Sequence, residues 1–215
     1  MDWSEQLNGY CERLDPSFWA EPVNAVTNVA FVLAAIVMWN RTEGIGRVLC
    51  AILATIGVGS FLFHTYATVW AMLADVLPIL VFILVYVFAA NRDFWGMRAW
   101  VAVVGTALFL PYAAAAGAVF GVLPFFATSA GYWPVALLIA IYGVLLRGRY
   151  PATGHGLLVG AGILAVSLTF RSIDMPVCDA LPIGTHFMWH VLNGIMLGWM
   201  IHLHARHLRR YRSTS

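Results

Sequence analysis

The feature that most constrains this chain is a series of apolar segments, each close to the length of a membrane-spanning helix. A helix needs about 20 mainly apolar residues to cross the hydrocarbon core of a bilayer. Segments of this kind lie at 22–40, 48–66, 70–90, 99–118, 131–147, 155–171 and 183–204. We therefore predict an all-α polytopic membrane protein with a bundle of seven transmembrane helices. Six or eight spans remain open, because no charge marks a loop between the fourth and fifth segments.

The composition supports a single membrane domain. Of the 215 residues, 61% are hydrophobic and 10% are charged, and the net charge of +2 is too small to predict nucleic-acid binding. The acidic N-terminus lacks the basic and apolar regions of a cleavable signal peptide. We predict one integral membrane domain over 1–215, with an outer N-terminal segment (1–21), the helix bundle (22–204) and a basic inner tail (205–215).

The twelve basic residues are all arginines, and their positions test the number of spans. Short cytoplasmic loops collect positive charge. With seven spans, Arg13 and Arg171 fall on one side of the bilayer. The other side holds Arg41, Arg47, Arg92, Arg98, Arg147, Arg149, Arg206, Arg209, Arg210 and Arg212. This asymmetry supports an odd number of spans and predicts that the N-terminus is outside and the C-terminus is cytoplasmic.

Polar side chains from three segments reach a similar depth near the predicted outer face. The second segment carries Ser60 and His64, the third carries Asp75, and the seventh carries His186 and His190. The two residues of each pair are four apart, so each pair projects from one face of a helix. Ionisable groups at membrane depth are costly, and this cost favours a functional role over an incidental one.

Three neutral imidazoles with an open fourth position form a catalytic zinc site. The alternative is that these histidines are hydrogen-bonded packing residues, since two histidines four apart also occur by chance in apolar helices. Asp75 and Ser60 at the same level favour the zinc site. We therefore predict that His64, His186 and His190 bind zinc.

Three stretches of the chain resemble motifs of the alkaline ceramidase family. Its superfamily also contains the progestin and adipoQ receptors and a family of GPI-anchor remodelling hydrolases. The stretch YCERLDPSFWAEPVNAVTN of this chain resembles the N-terminal block of the family. The stretch GVGSFLFHTYATVWAMLADVLPIL resembles the family signature of GxGSxxFH followed by DxxP. The stretch RSIDMPVCDALPIGTHFMWHVLNG resembles a third family motif, in which Arg, Asp and Cys precede paired histidines. The blocks occur in family order and span nearly the whole chain.

The resemblance implies a zinc-dependent intramembrane hydrolase of lipid amides, most directly a ceramidase that cleaves ceramide to a sphingoid base and a fatty acid. By position, His64, His186 and His190 correspond to the zinc ligands. Asp75 corresponds to the general base that later acts as an acid, and Ser60 to the hydroxyl that stabilises the oxyanion. The short loops are most similar to bacterial members, so we expect a bacterial inner membrane protein that takes its lipid substrate from the bilayer.

A non-catalytic alternative comes from the same superfamily. A seven-helix receptor or lipid-binding protein could hold a structural zinc ion at the three histidines. Such a site needs neither a proton acceptor nor an oxyanion partner, so Asp75 and Ser60 favour the enzyme, although Ser60 alone could be a packing residue. An ion transporter is disfavoured, because the chain has no visible inverted repeat.

The resemblance also implies a disulfide between Cys11 and Cys178. Both cysteines lie on the predicted outer face, where a disulfide can persist. Two unrelated thiols are the alternative, and Cys50 is left as a packing residue.

A calcium site close to the zinc is the last feature that the resemblance implies. Glu12, Asp15 and Glu21 are the possible ligands, since carboxylate oxygens suit a hard cation. The match is imperfect, because Gly9 stands where the family has an aspartate. The alternative is a solvated acidic cap.

The remaining polar residues receive structural predictions. We expect Arg171 and Asp174 to pair with each other. Asn24 and Asn28 are expected to form hydrogen bonds between helices, where they could orient the zinc ligands or Glu21. Three histidines near the C-terminus lie too far from the site to be ligands: His202, His204 and His207. The basic tail is expected to contact anionic lipid.

Overall fold

The computed structural model describes residues 2–211 as a bundle of α-helices. Arg212, which belongs to the predicted inner tail, lies outside the described residues. In chain order, the helices are α1 (Pro22–Thr27), α2 (Val29–Trp39), α3 (Ile45–Tyr66), α4 (Val69–Asp93), α5 (Ala99–Gly121), α6 (Pro124–Ala127), α7 (Trp133–Leu146), α8 (Pro151–Ile173) and α9 (His186–Tyr211). A short 3₁₀ helix, Met175–Val177, follows α8.

The chain is a helical membrane protein, as predicted. Five stretches are long and apolar enough to cross a bilayer, namely Pro22–Trp39, Ile45–Tyr66, Val69–Asp93, Ala99–Gly121 and Pro151–Ile173. The other two predicted segments also form helices. However, α7 has only 14 residues, and polar histidines lower the mean hydropathy of α9.

Seven helices contact one another in a closed ring. Each neighbouring pair packs together in the order α2, α3, α4, α5, α7, α8 and α9, and α9 returns to α2. The apolar core inside the ring includes Leu53 of α3, Leu168 of α8 and Ile201 of α9. The short helix α1 packs against α3 and α9, so it lies beside the two helices that carry the predicted zinc ligands.

Two glycines allow ring helices to approach closely next to the predicted site. A β-carbon added at Gly59 would lie 2.0 Å from the carbonyl oxygen of Ala74, so α3 and α4 are in backbone contact there. A β-carbon at Gly194 would lie 2.9 Å from the carbonyl carbon of Ala30, which brings α9 against α2. Small residues at helix contacts are typical of membrane bundles. The first contact sets Ser60 beside the turn of α4 that carries Asp75.

The N-terminal segment docks on the turn between α3 and α4. Gln6 and Thr68 form an isolated antiparallel bridge, and the amide of Leu7 donates to the carbonyl of Ala67 at 2.6 Å. Ala67 has a φ of 46°, the left-handed conformation that commonly ends a helix. This docking holds residues 2–21 over the end of α3 where His64 lies.

The predicted disulfide between Cys11 and Cys178 is confirmed. It joins the N-terminal segment to the connection between α8 and α9. Asp174 strengthens the same junction, because its carboxylate accepts the amide of Cys11 at 3.0 Å and the amides of Thr185 and His186 at 2.7 and 2.8 Å. The last two bonds satisfy free amides at the start of α9 and fix the position of His186.

Arg171 and Asp174 therefore do not pair as the sequence predicts. Asp174 binds backbone amides, and Arg171 instead donates to the carbonyl of Thr128 and to the hydroxyl of Ser129. The guanidinium of Arg171 also lies 5.7 Å from the ring centre of Trp189. Backbone amides compete successfully for a carboxylate at a helix N-terminus, because they would otherwise be unpaired.

We expect reduction of the disulfide to lower the free energy of unfolding by about 2–4 kcal/mol, because the cross-link restricts the unfolded chain. Thermal unfolding with and without a reductant measures this loss. In a Cys178→Ser variant, the reductant should have no further effect. A wild-type protein that unfolds at the same temperature in both conditions would contradict the prediction.

Candidate metal centre

Three buried histidines meet where α3, α9 and the N-terminal segment come together. His64 lies near the end of α3, His186 begins α9, and His190 follows one turn later. Each is 1% exposed. One ligand nitrogen from each ring lies within 4.8 Å of those from the other two, a grouping that could hold a metal ion. The predicted convergence of the three histidines is therefore confirmed, and it is the one such group of acidic, histidine and cysteine side chains in residues 2–211.

Unpartnered nitrogens in this group support metal binding. Nδ1 of His186 and Nε2 of His190 are buried and have no hydrogen-bond partner. A buried polar atom without a partner costs free energy, so each one needs an explanation. A metal ion coordinated by these nitrogens supplies the missing interaction. Imidazole nitrogens are ligands that zinc and several other transition metals accept.

Hydrogen bonds from outside the group orient two of the rings. Nδ1 of His64 lies 2.6 Å from Oε2 of Glu21, and Nδ1 of His190 lies 3.0 Å from the hydroxyl oxygen of Thr27. These contacts leave Nε2 of each ring for a metal. Metal-binding histidines commonly bond their second nitrogen in this way. Asn24 contacts Glu21 as predicted, because its amide donates to Oε2 of Glu21 at 3.1 Å. The side-chain amide of Asn28 donates to the carbonyls of Asn24 and Ala25 and not to another helix.

The predicted calcium ligands do not form a common site. Glu12 accepts the amides of Val23 and Asn24 at 2.8 and 2.9 Å, so it caps α1. The exposed Asp15 accepts the amide of Ser17 at 2.7 Å. Glu21 instead contacts His64 and Arg13, and Arg13 was not among the predicted site residues. Calcium at Glu12, Asp15 and Glu21 stays a prediction of the resemblance, and the three carboxylates have separate partners in this structure.

Ser60 and Asp75 lie together next to the histidine group, on the side that faces the interior of the helix ring. Ser60 is one turn before His64, and the α3–α4 contact at Gly59 places Asp75 beside it. Oδ1 of Asp75 is buried without a hydrogen-bond partner. Asp75 is also close enough to His64 to interact with it electrostatically. A carboxylate oxygen is thus available next to the candidate metal centre.

Both residues line a cavity inside the helix ring. The cavity has a volume of about 80 Å³ and is bounded by six of the seven ring helices. Its wall is almost entirely apolar, and Phe82 and Leu164 are typical of it. Apart from Ser60 and Asp75, the polar groups on the wall are few, and they include Asn193. The cavity therefore offers an apolar surface next to the polar groups of Ser60 and Asp75.

The structure adds three residues that the sequence analysis did not assign to the centre. The Tyr10 ring stacks on His186 with 3.8 Å between ring centres and covers the histidines from the N-terminal side. Thr27 binds His190, and the Arg13 side chain is a buried partner of Glu21. One indication of Arg13 was present in the sequence, because it is one of two arginines on the predicted outer face. Tyr10 and Thr27 have no comparable signal.

The histidines near the end of α9 form a separate cluster. Nε2 of His204 lies 2.8 Å from Oδ2 of Asp93, and Nδ1 of His207 lies 2.8 Å from the hydroxyl of Thr153. These contacts join α9 to α4 and α8. The prediction that these two residues are not ligands of the metal centre agrees with this arrangement.

No protein-family model matches the chain, and no curated protein matches its sequence. The resemblance to alkaline ceramidases consequently stays a hypothesis drawn from the motifs.

Replacing Thr27 with valine is expected to weaken zinc binding by about 10- to 100-fold. Valine keeps the shape of threonine but cannot bond Nδ1 of His190, so the ring loses its orientation. Competition with a chelator measures the affinity. Thr55→Val is the matched control, because the Thr55 hydroxyl binds only a carbonyl of its own helix. Equal zinc affinities for the two variants would show that Thr27 does not orient the ligand.

Proposed function

We propose that this protein is a zinc-dependent intramembrane hydrolase that cleaves the amide bond of an N-acyl lipid, with ceramide as the first candidate. One observation carries the proposal: an unpartnered carboxylate oxygen of Asp75 lies beside three convergent histidines and lines an apolar cavity. The carboxylate and the histidines together provide a proton acceptor and a metal centre. A purely structural metal site would not need the carboxylate.

Zinc suits the ligand set better than a hard cation. His64, His186 and His190 offer three imidazole nitrogens, and three protein ligands with one open position are typical of catalytic zinc. Zinc, when bound, supplies Lewis-acid activation of water and of a carbonyl group. Glu21 and Thr27 would hold two of the ligand rings in position, as the second-shell partners of metal-binding histidines do.

Asp75 and Ser60 would manage the proton and the developing charge. Asp75 accepts a proton from the water molecule that attacks the amide carbon, and it delivers that proton to the leaving nitrogen as the C–N bond breaks. The oxygen of the water stays on the acyl carbon, so the products are a fatty acid and an amine. The Ser60 hydroxyl donates to the carbonyl oxygen as negative charge develops there.

The shape of the cavity favours a lipid substrate. Its apolar wall lies within the helix ring and begins at Ser60 and Asp75. A substrate that enters from the bilayer would place an acyl chain along this wall and its amide at the polar end. Ceramide and other N-acyl lipids carry an amide near the headgroup level, where such a site can reach it.

We also propose that all seven ring helices cross the membrane, with the N-terminus outside. The closed ring leaves α7 and α9 no position except beside helices that are long enough to span. Among the described residues, nine arginines fall on the C-terminal side, and Arg13 and Arg171 fall on the other. The disulfide then lies on the outer face, which suits a bacterial inner membrane protein facing an oxidising compartment.

Release of fatty acid from paired lipids tests the proposed activity. The purified, detergent-solubilised protein would be given a ceramide and a diacylglycerol with the same acyl chain. We expect hydrolysis of the amide, loss of hydrolysis after zinc is removed with a chelator, and recovery when zinc is restored. Bound zinc with no hydrolysis of any N-acyl lipid would favour a receptor or lipid-binding protein instead.

A further inference from the structure

The Arg13 side chain lies in a buried cage of oxygen atoms next to the metal centre. Arg13 is 4% exposed, and its Nε donates to Oε1 of Glu21 at 2.5 Å. Nη1 donates to the carbonyl oxygens of Asp15 and Ser17 at 3.2 and 3.5 Å, and Nη2 donates to the carbonyl oxygen of His64 at 3.1 Å. All three guanidinium nitrogens thus contact oxygen atoms.

These partners are of the kind that a calcium ion would take. Calcium binds carboxylate and backbone carbonyl oxygens, and the cage around Arg13 contains one carboxylate and three carbonyls. The guanidinium already neutralises Glu21. A divalent ion in the same space would lie against a buried positive charge, and the repulsion between close charges is strong away from water. The residues present therefore do not fit calcium.

Arg13 also connects to His64 by two routes. Its Nη2 binds the backbone carbonyl of His64, and its Nε binds the carboxylate that holds Nδ1 of the same histidine. One side chain thus restrains both the backbone and the ring of a candidate ligand. Cys11 lies two residues before Arg13, and the disulfide joins it to Cys178 in the connection between α8 and α9. The restraint on His64 is therefore part of a covalently anchored segment.

We propose that Arg13 is a built-in cation that takes the place of a bound calcium ion and positions His64 through Glu21. The metal centre then needs no calcium ion, because the guanidinium of Arg13 permanently supplies the positive charge that a dissociable calcium ion would provide. This inference rests on the metal centre in the proposed function, and it does not depend on which lipid is cleaved. Arg13 acts as a positioning residue and contacts neither the metal nor the substrate.

Zinc affinity and calcium sensitivity test the proposal together. Zinc retention against a chelator and the thermal unfolding temperature would be measured for the wild type with millimolar calcium and with a calcium-selective chelator. The same measurements would follow for Arg13→Met and Arg13→Lys. Arg92→Met is the matched control, because Arg92 also pairs with a carboxylate that contacts a histidine, Asp93 with His204, in the separate cluster near the end of α9.

We expect the wild type to show the same zinc affinity and unfolding temperature with and without calcium. Arg13→Met should weaken zinc binding by about 10- to 100-fold, as loss of a residue that supports a ligand does. Arg13→Lys should recover part of that loss, because it restores the charge, and Arg92→Met should bind zinc as the wild type does.

Two results would overturn the proposal. The first is a wild-type protein that calcium stabilises or that loses zinc when calcium is removed, and this test remains valid even if Arg13→Met fails to fold. The second is a folded Arg13→Met variant with wild-type zinc affinity. Either result leaves the metal centre intact, whereas a wild-type protein that binds no zinc would refute the centre itself.

Discussion

Replacing His190 with alanine is expected to remove the bound zinc and to abolish lipid hydrolysis. Nε2 of His190 is buried without a partner, so it has no role in the protein's hydrogen bonding that would compete with coordination. Two remaining imidazoles leave zinc short of the three protein ligands found in catalytic sites. Metal analysis of the purified variant and fatty acid release from the same sample measure the two losses together.

His204→Ala is the matched control for this substitution. His204 lies on the same helix and is equally buried, but its Nε2 contacts Asp93 in the separate cluster near the end of α9. We expect the control variant to be less stable, because a buried carboxylate loses a partner, yet to keep its zinc. If His190→Ala retained zinc and full activity, the three-histidine assignment would be wrong.

Asp75→Asn is expected to retain zinc while turnover falls by about 10²- to 10⁴-fold, the usual contribution of a general acid–base group. Asparagine has nearly the same shape as aspartate, so the cavity and the histidines should be unchanged. Its amide oxygen is too weak a base to accept the proton from water. Single-turnover hydrolysis, together with zinc content, separates the loss of chemistry from any loss of metal.

Asp93→Asn provides the control at the other end of α4. Asp93 is a buried carboxylate like Asp75, but it contacts His204 and Arg92. This variant should lose stability and keep turnover at temperatures where it stays folded. Should Asp75→Asn retain both zinc and activity, Asp75 would be a structural residue and the proposed proton transfer would fail.

The parts of this structure that follow from local patterns could be predicted from the sequence. Apolar length predicts the long helices, and alternation of helix direction predicts that His64 and Asp75 lie at the level of His190. The four-residue spacing of His186 and His190 places both rings on one face of α9. The weak hydropathy of α9 has the same origin, because the histidines and Asn193 that serve the site and its cavity also reduce the apolar character of the helix.

Contacts between distant segments could not be predicted in the same way. A pattern of carboxylates predicts a cationic partner, but it does not show whether that partner is a metal ion or a side chain. In this structure Glu21 pairs with the guanidinium of Arg13. The backbone amides at the start of α9 attract Asp174 away from Arg171 for a similar reason. The closed order of the helix ring depends on packing at residues such as Gly59 and Gly194, whose meaning appears only once the neighbouring backbone is known.

X-ray absorption at the zinc edge of the purified wild-type protein tests the three-histidine zinc centre. We expect about one zinc ion per chain, with a first shell that fits three imidazole nitrogens at about 2.0–2.1 Å and one further light atom. A protein that contains no zinc and takes up none when it is supplied would show that the centre does not exist. A zinc ion whose first shell lacks imidazole would contradict the three-histidine centre equally, because His64, His186 and His190 would then not be its ligands.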